Sequence, residues 1–160
     1  TFGYSRKAKL SNTGISCNKL NTFGHIKSEN WLPIFKANCI APLLLTQLLY
    51  RNFLLGNEKK IVFISSKPAS ITENTGGSMY MSRSSRSALN QVIKSLSIDL
   101  INEGISVASI SPGWVKTDSG GINALIDVQT SVTGIKKIVN ELRLENTGKF
   151  WDYNGDIIPW

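Results

Sequence analysis

Apolar residues along this chain recur at two spacings, and the spacings predict which segments are helices and which are strands. From Ser28 onward, Trp31, Ile34, Phe35, Leu44, Leu45, Leu48 and Leu49 keep one helical face apolar. With Ser28 as N-cap and Glu29 in the first turn, this predicts a helix over residues 28 to about 55, ended by Gly56 and Asn57. Lys60-Ile61-Val62-Phe63-Ile64-Ser65 is nearly all apolar and β-branched, the composition of a strand buried on both faces of a parallel sheet. Pro68, Asn74, Gly76 and Gly77 make residues 67 to 81 a loop at the carboxyl end of that strand. A second helix is expected from Ser82, with Leu89, Val92, Ile93, Leu96, Leu100 and Ile101 at helical spacing and Gly104 at C′. The Ser/Arg-rich stretch at its start reads as hydroxyls at the N-cap with arginines facing solvent, not as a phosphate-binding patch. Residues 105 to 110 read as a strand that stops at Pro112-Gly113, residues 127 to 143 as a helix, and Gly148-Lys149-Phe150-Trp151 as a final strand before a turn at Gly155. Residues 1 to 27, rich in Ser, Asn, Gly and Lys, predict at most a short strand and then loop.

Strand and helix therefore alternate, which predicts an α/β fold: a doubly wound parallel sheet with helices on both faces. Ligands on such sheets bind beyond the carboxyl ends of the strands, and here those ends carry Ser65-Ser66 and Pro112-Gly113. No repeat or linker interrupts the pattern, so residues 1–160 are expected to form one domain. The composition, 41% apolar and 18% charged, is that of an ordinary globular domain.

A net charge of +7 changes this picture little, because the basic residues are dispersed from Arg6, Lys7 and Lys9 through Lys59 and Lys60 to Lys136 and Lys137. That dispersal argues against a nucleic-acid surface, which gathers its cations into a stripe. Cys17 and Cys39 form no CxxC pair, and His25 has no second ligand at useful spacing. Buried thiols, a surface histidine and no metal site are expected. No apolar run approaches the roughly 18 residues that span a bilayer, and residues 1–10 lack a signal peptide's apolar stretch. A cytoplasmic protein without membrane contact is the resulting expectation.

Six segments in order resemble the short-chain dehydrogenase/reductase family, most closely its C-factor group. Leu10-Ser11-Asn12-Thr13-Gly14-Ile15 resembles the segment after a central strand, and Phe35-Lys36-Ala37-Asn38 the helix with the structural Asn. Ile61-Val62-Phe63-Ile64-Ser65-Ser66 resembles the strand ending in the catalytic Ser, and Ser87-Ala88-Leu89-Asn90 the segment after the catalytic Lys. Ser111-Pro112-Gly113-Trp114-Val115-Lys116-Thr117 resembles the segment over the nicotinamide, and Gly148-Lys149-Phe150 with Ile158-Pro159-Trp160 the family's C-terminal end.

The resemblance implies a partial Rossmann-type fold, an NAD(P) cofactor and, if the chain is active, a small carbonyl or alcohol substrate. It implies that Asn38 holds the helix backbone and a relay water, that Ser66 donates to the substrate oxygen, and that Asn12, Gly14, Pro112, Gly113, Val115 and Thr117 border the cofactor. Counted back from Ala88-Leu89-Asn90, the family's Tyr and Lys fall on Ser82 and Arg86. An aliphatic hydroxyl is a far weaker acid than a phenol and is too short to replace it, and losing a positioned acid costs about 10²- to 10⁴-fold in rate. Arg86 keeps the charge of a lysine but not its shape. Tyr80 stands two residues early, about 200° around a helix, so using it as a substitute acid requires the loop to rearrange. The bland reading of Tyr80 is a loop aromatic covering the cleft. Residues 1 to 9 are too few for the family's glycine-rich turn, so the chain corresponds to a truncated, C-terminal portion of such a domain. The expected protein is an impaired oxidoreductase of this family, a pseudoenzyme. The alternative is a non-catalytic protein that keeps the family's helix-pairing surface, a homo-oligomer through helices 28–55 and 82–103.

Overall fold

The computed structural model describes the backbone of residues 3–4 and 9–11 and the whole of residues 21–160. The expectations placed on Asn12, Gly14 and Cys17 lie outside the described residues. One sheet organises the rest, with strands β1 (Gly3–Tyr4), β2 (Lys9–Ser11), β3 (Lys60–Ile64), β4 (Ser106–Ser111) and β5 (Phe150–Asp152) side by side in chain order. β2 through β5 are parallel, and the short β1 pairs antiparallel with β2, Gly3 opposite Leu10.

Side-chain alternation along β3 and β4 divides the core in two. Ile61, Phe63, Ile105 and Val107 point to one face and meet Phe53, Leu89, Ile93 and Leu100. Val62, Ile64, Ala108 and Ile110 point to the other and meet Ile138 and Leu142. Both strands are buried along their whole length; β3 accordingly reads as a nearly unbroken apolar run, whereas β4 buries Ser106, Ser109 and Ser111 among its apolar residues. Helices α1 (Ser28–Phe35), α2 (Ala41–Leu48), α3 (Tyr50–Leu54) and α4 (Tyr80–Asp99) come from the crossover segments. Leu89 and Ile93 of α4 supply its part of the first core, and Ile138 of α5 (Val128–Glu141) contributes to the second.

Several boundaries differ from the sequence reading for identifiable reasons. The segment expected as one helix from 28 to 55 contains a π-helical turn, Lys36–Ile40, between α1 and α2, and Leu49 separates α2 from α3. Ser28 is not the N-cap of α1. Lys27 holds that position without a side-chain cap. Leu44 and Leu48, assigned above to the apolar face, are 52% and 80% exposed, because the wider π turn rotates the following helix relative to α1. α5 starts as expected: the Asp127 Oδ1 accepts from Thr130 N at 2.7 Å. Gly104 and Gly155 adopt φ of +73° and +96°, conformations that side chains disfavour. Cys39 is a buried free thiol whose pKa burial pushes up, and His25 is exposed. No helix of the described residues is long and apolar enough to cross a membrane.

Candidate active site

The start of α4 is fixed from a distant part of the chain. Gly77, Ser78 and Met79 lead into it with φ of 61°, 55° and 54°, so two residues with side chains occupy the left-handed region, at a cost on the order of 1–3 kcal/mol each. Asn21 holds this bend. Its Oδ1 accepts from Met81 N at 2.7 Å, and its main-chain oxygen accepts from Ser78 Oγ at 3.3 Å. Helix therefore begins at Tyr80, two residues before the expected start, and Ser82 lies inside the first turn instead of capping it.

The same Asn21 reaches Ser82. Asn21 Nδ2 donates to Ser82 Oγ at 3.1 Å, and both residues are only 3% exposed. The Ser82 carbonyl in turn accepts from Ser85 Oγ at 3.2 Å, and Ser85 Oγ accepts from Asn38 Nδ2 at 3.0 Å. Asn38 is fully buried at the middle of the π turn, where the Ala41 N–H bonds back to Lys36 O. The bulge thus aims Asn38 at α4, a use for which π turns often occur at functional sites. Trp31 Nε1, donating to Ser84 Oγ at 3.1 Å, ties α1 to α4 as well.

One helical turn beyond Ser82, Arg86 is half-buried, and its desolvation lowers the guanidinium pKa from its usual value. A guanidinium nevertheless stays protonated in proteins. It makes no ion pair among the described residues, so it presents an uncompensated cation. The arginines expected to face solvent are therefore both partly buried, Arg83 as well as Arg86.

At the carboxyl end of β3 the two serines part company. Ser65 Oγ turns inward and donates to Asn90 Oδ1 at 3.1 Å, and Ser109 Oγ of β4 donates to the same oxygen at 2.9 Å. Asn90 pins α4 to the two central strands, and its Nδ2 has no partner. Ser66 is half-buried in extended backbone just beyond the strand, with its carbonyl taken by Ala69 N at 2.9 Å.

β4 ends beside β3, Ile110 opposite Ile64, and carries the second loop to the same edge. Pro112 O accepts from Ser131 Oγ at 2.6 Å, tying the loop to α5. Gly113 needs to be glycine twice over: its φ is +77°, and a Cβ there meets Tyr153 Cδ1 at 2.7 Å and Ile126 Cδ1 at 2.8 Å. Val115 bridges to Ile126, while Thr117 Oγ1 donates to Val115 O at 3.3 Å and accepts from Gly120 N at 3.1 Å.

The fold thus brings Asn38 and Ser82 into one hydrogen-bonded chain and places Ser66 and Pro112, Gly113, Val115 and Thr117 at adjacent strand ends. It separates Tyr80 from them. Tyr80 is the first residue of α4, its ring 6.4 Å from that of Phe23, and it shares a cleft with Arg83, Ser84 and Ser87 on the helix face turned away from the buried Ser82, Ser85 and Leu89. The expectation of a loop aromatic is corrected to a helical one. Asn21 was not singled out from sequence; it lies 61 residues before Ser82 in a stretch without periodicity, and no local signal marks it.

Carboxyl-end loops on a parallel sheet with helices on both faces define the class of doubly wound α/β proteins. Comparison with known proteins narrows that class. The short chain dehydrogenase family model matches residues 10–125, and this chain belongs to that family. C-signal of Myxococcus xanthus is 32% identical over 154 residues, covering 94% of this chain and 90% of that protein. Among solved structures, the carbonyl reductase Sniffer of D. melanogaster superposes with a TM-score of 0.88 at 35% identity, over 96% of this chain and 66% of that one. The NADPH-bound carbonyl reductase from chicken fatty liver gives 0.86 at 29% identity, over 94% and 64%. The chain therefore spans about two-thirds of the length of both reductases.

A dinucleotide has two ends to satisfy, and the described residues fit one of them. Arg86 carries N–H donors that no hydrogen bond or ion pair among the described residues takes up, and such donors suit ribose hydroxyls. Among the described residues no strand leads through a glycine-rich turn into a helix, the arrangement that grips a pyrophosphate. Thr117 Oγ1 already makes bonds within its own loop.

Proposed function

We propose that this chain is an oxidoreductase-family protein whose nicotinamide-side cleft persists and whose proton-transfer step is impaired. The observation that carries this reading is the state of Ser82: a buried hydroxyl already accepting from Asn21 at 3.1 Å, where the family's phenol is expected. When bound, the cofactor supplies hydride chemistry; the residues here must then move a proton at the substrate oxygen. Ser82 is too short and too weak an acid to do so, and Arg86, always protonated, has no phenol to activate. Ser66 remains able to donate a hydrogen bond to a carbonyl oxygen, which orients a substrate without completing its reduction. Asn38 acts as a positioning residue through Ser85.

The competing reading of an active reductase, with Tyr80 as acid, is disfavoured by the helical placement of that residue. NADPH oxidation in the presence of a reactive aromatic quinone separates the two. Turnover at the non-enzymatic background supports impairment, and turnover that Tyr80→Phe abolishes contradicts it.

The proposal includes self-association in a cytoplasmic setting. Ile40 at the end of the π turn, Leu44 and Leu48 on α2 and Leu55 just past α3 are exposed apolar residues, as are Ile98 near the end of α4 and Ile101 just beyond it. Apolar rows on helix faces are the surfaces by which second copies pair.

A further inference from the structure

A second cleft, of about 280 Å³, lies between the first half of α4 and the loop that leads into it. Pro68, Ile71 and Tyr80 make its apolar walls, and Arg83 stands among them. Residues 80, 83, 84 and 87 lie on the helix face turned away from the buried Ser82, Ser85 and Leu89, so this cleft does not include Ser82.

The serine hydroxyls that line this cleft are all committed. Ser70 Oγ donates to Pro159 O at 2.5 Å, Ser78 Oγ to Asn21 O at 3.3 Å, Ser84 Oγ to Met81 O at 3.4 Å and Ser87 Oγ to Ala69 O at 2.7 Å. Arg83 is different. Its Nε–H is buried with no acceptor, and its Nη1 reaches only Pro68 O, at a marginal 3.5 Å. No ion pair among the described residues includes it. A partly buried guanidinium with its fork unmatched is costly, and native structures generally satisfy such a group with a partner. The geometry the fork matches is a carboxylate.

We infer that this cleft binds a small organic carboxylate, its acid group on the Arg83 guanidinium and its apolar body against Pro68, Ile71 and Tyr80. The volume limits the ligand to a single ring or a short branched chain, below the range of drug-sized pockets. The inference does not depend on whether the protein turns over a carbonyl.

Calorimetric titration of the 160-residue chain with benzoate, and with benzamide as its neutral analogue, tests the site. Benzoate is expected to bind saturably and at least about tenfold more tightly than benzamide. Arg83→Gln is expected to remove that preference, Arg83→Lys to recover part of it, and Arg86→Gln to leave it in place. Absence of saturable benzoate binding, equal affinity for the two probes, or a preference that follows Arg86 overturns the inference. Both probes are titrated into the unaltered chain, so equal affinity there overturns the inference whether or not a variant folds.

Discussion

At the scale of single residues, two asparagines organise the site. Asn90 gathers the hydroxyls of Ser65 and Ser109 onto one oxygen within the core. Asn90→Ala leaves both hydroxyls buried without an acceptor and is expected to lower unfolding stability by about 1–3 kcal/mol, read from the midpoint of a urea titration. Asn21 bonds Met81 N as a cap supplied from elsewhere in the chain, and its loss is expected to cost about 0.5–2 kcal/mol, with faster amide exchange confined to the first turn of α4. The two differ in legibility. Asn90 stands in an Ala-Leu-Asn segment and was placed by resemblance, whereas Asn21 acts over 61 residues and leaves no periodic trace. The chemical departure at Ser82 was visible in sequence because it is a matter of residue identity. That Ser82 is covered by Asn21 was not, because it depends on a bend of left-handed residues that include non-glycines.

At the scale of elements, β3 and β4 were readable to within a residue or so, β3 from its nearly continuous apolar run and β4 from the segment bounded by Gly104 and Pro112-Gly113. The interruption of the first long helix was not. A π turn adds one residue to a turn without altering local propensity, and its effect appears as a rotated apolar row that places Leu44 and Leu48 in solvent. The start of α5 was legible to within a residue, and the Asp127 cap there makes the helix sensitive to acid. The Thr130 N–H holds the Asp127 carboxyl below its usual range, with Lys116 assisting. A folded pKa depressed in this way adds stability above the unfolded carboxylate value near ~4, lost as pH falls through the lower folded value. Thermal melts at successive pH values are expected to show a shallower acid decline for Asp127→Asn than for the parent.

At the scale of the whole molecule, the sheet brings Ser66 and the Pro112-Gly113 turn to one edge, and α4 presents Ser82 and Arg86 on one helical face. The exposed Leu44 and Leu48 on α2 belong to this scale as well. Sedimentation equilibrium is expected to give a dimer or larger, and Leu44→Lys with Leu48→Lys to give a monomer of unchanged helix content. The loss of proton transfer at Ser82 is read from the rate of NADPH oxidation by the purified chain with a saturating aromatic quinone. A rate indistinguishable from the protein-free control is expected. Turnover at an ordinary enzymatic rate of roughly 1–10 s⁻¹, abolished by Tyr80→Phe, would contradict it.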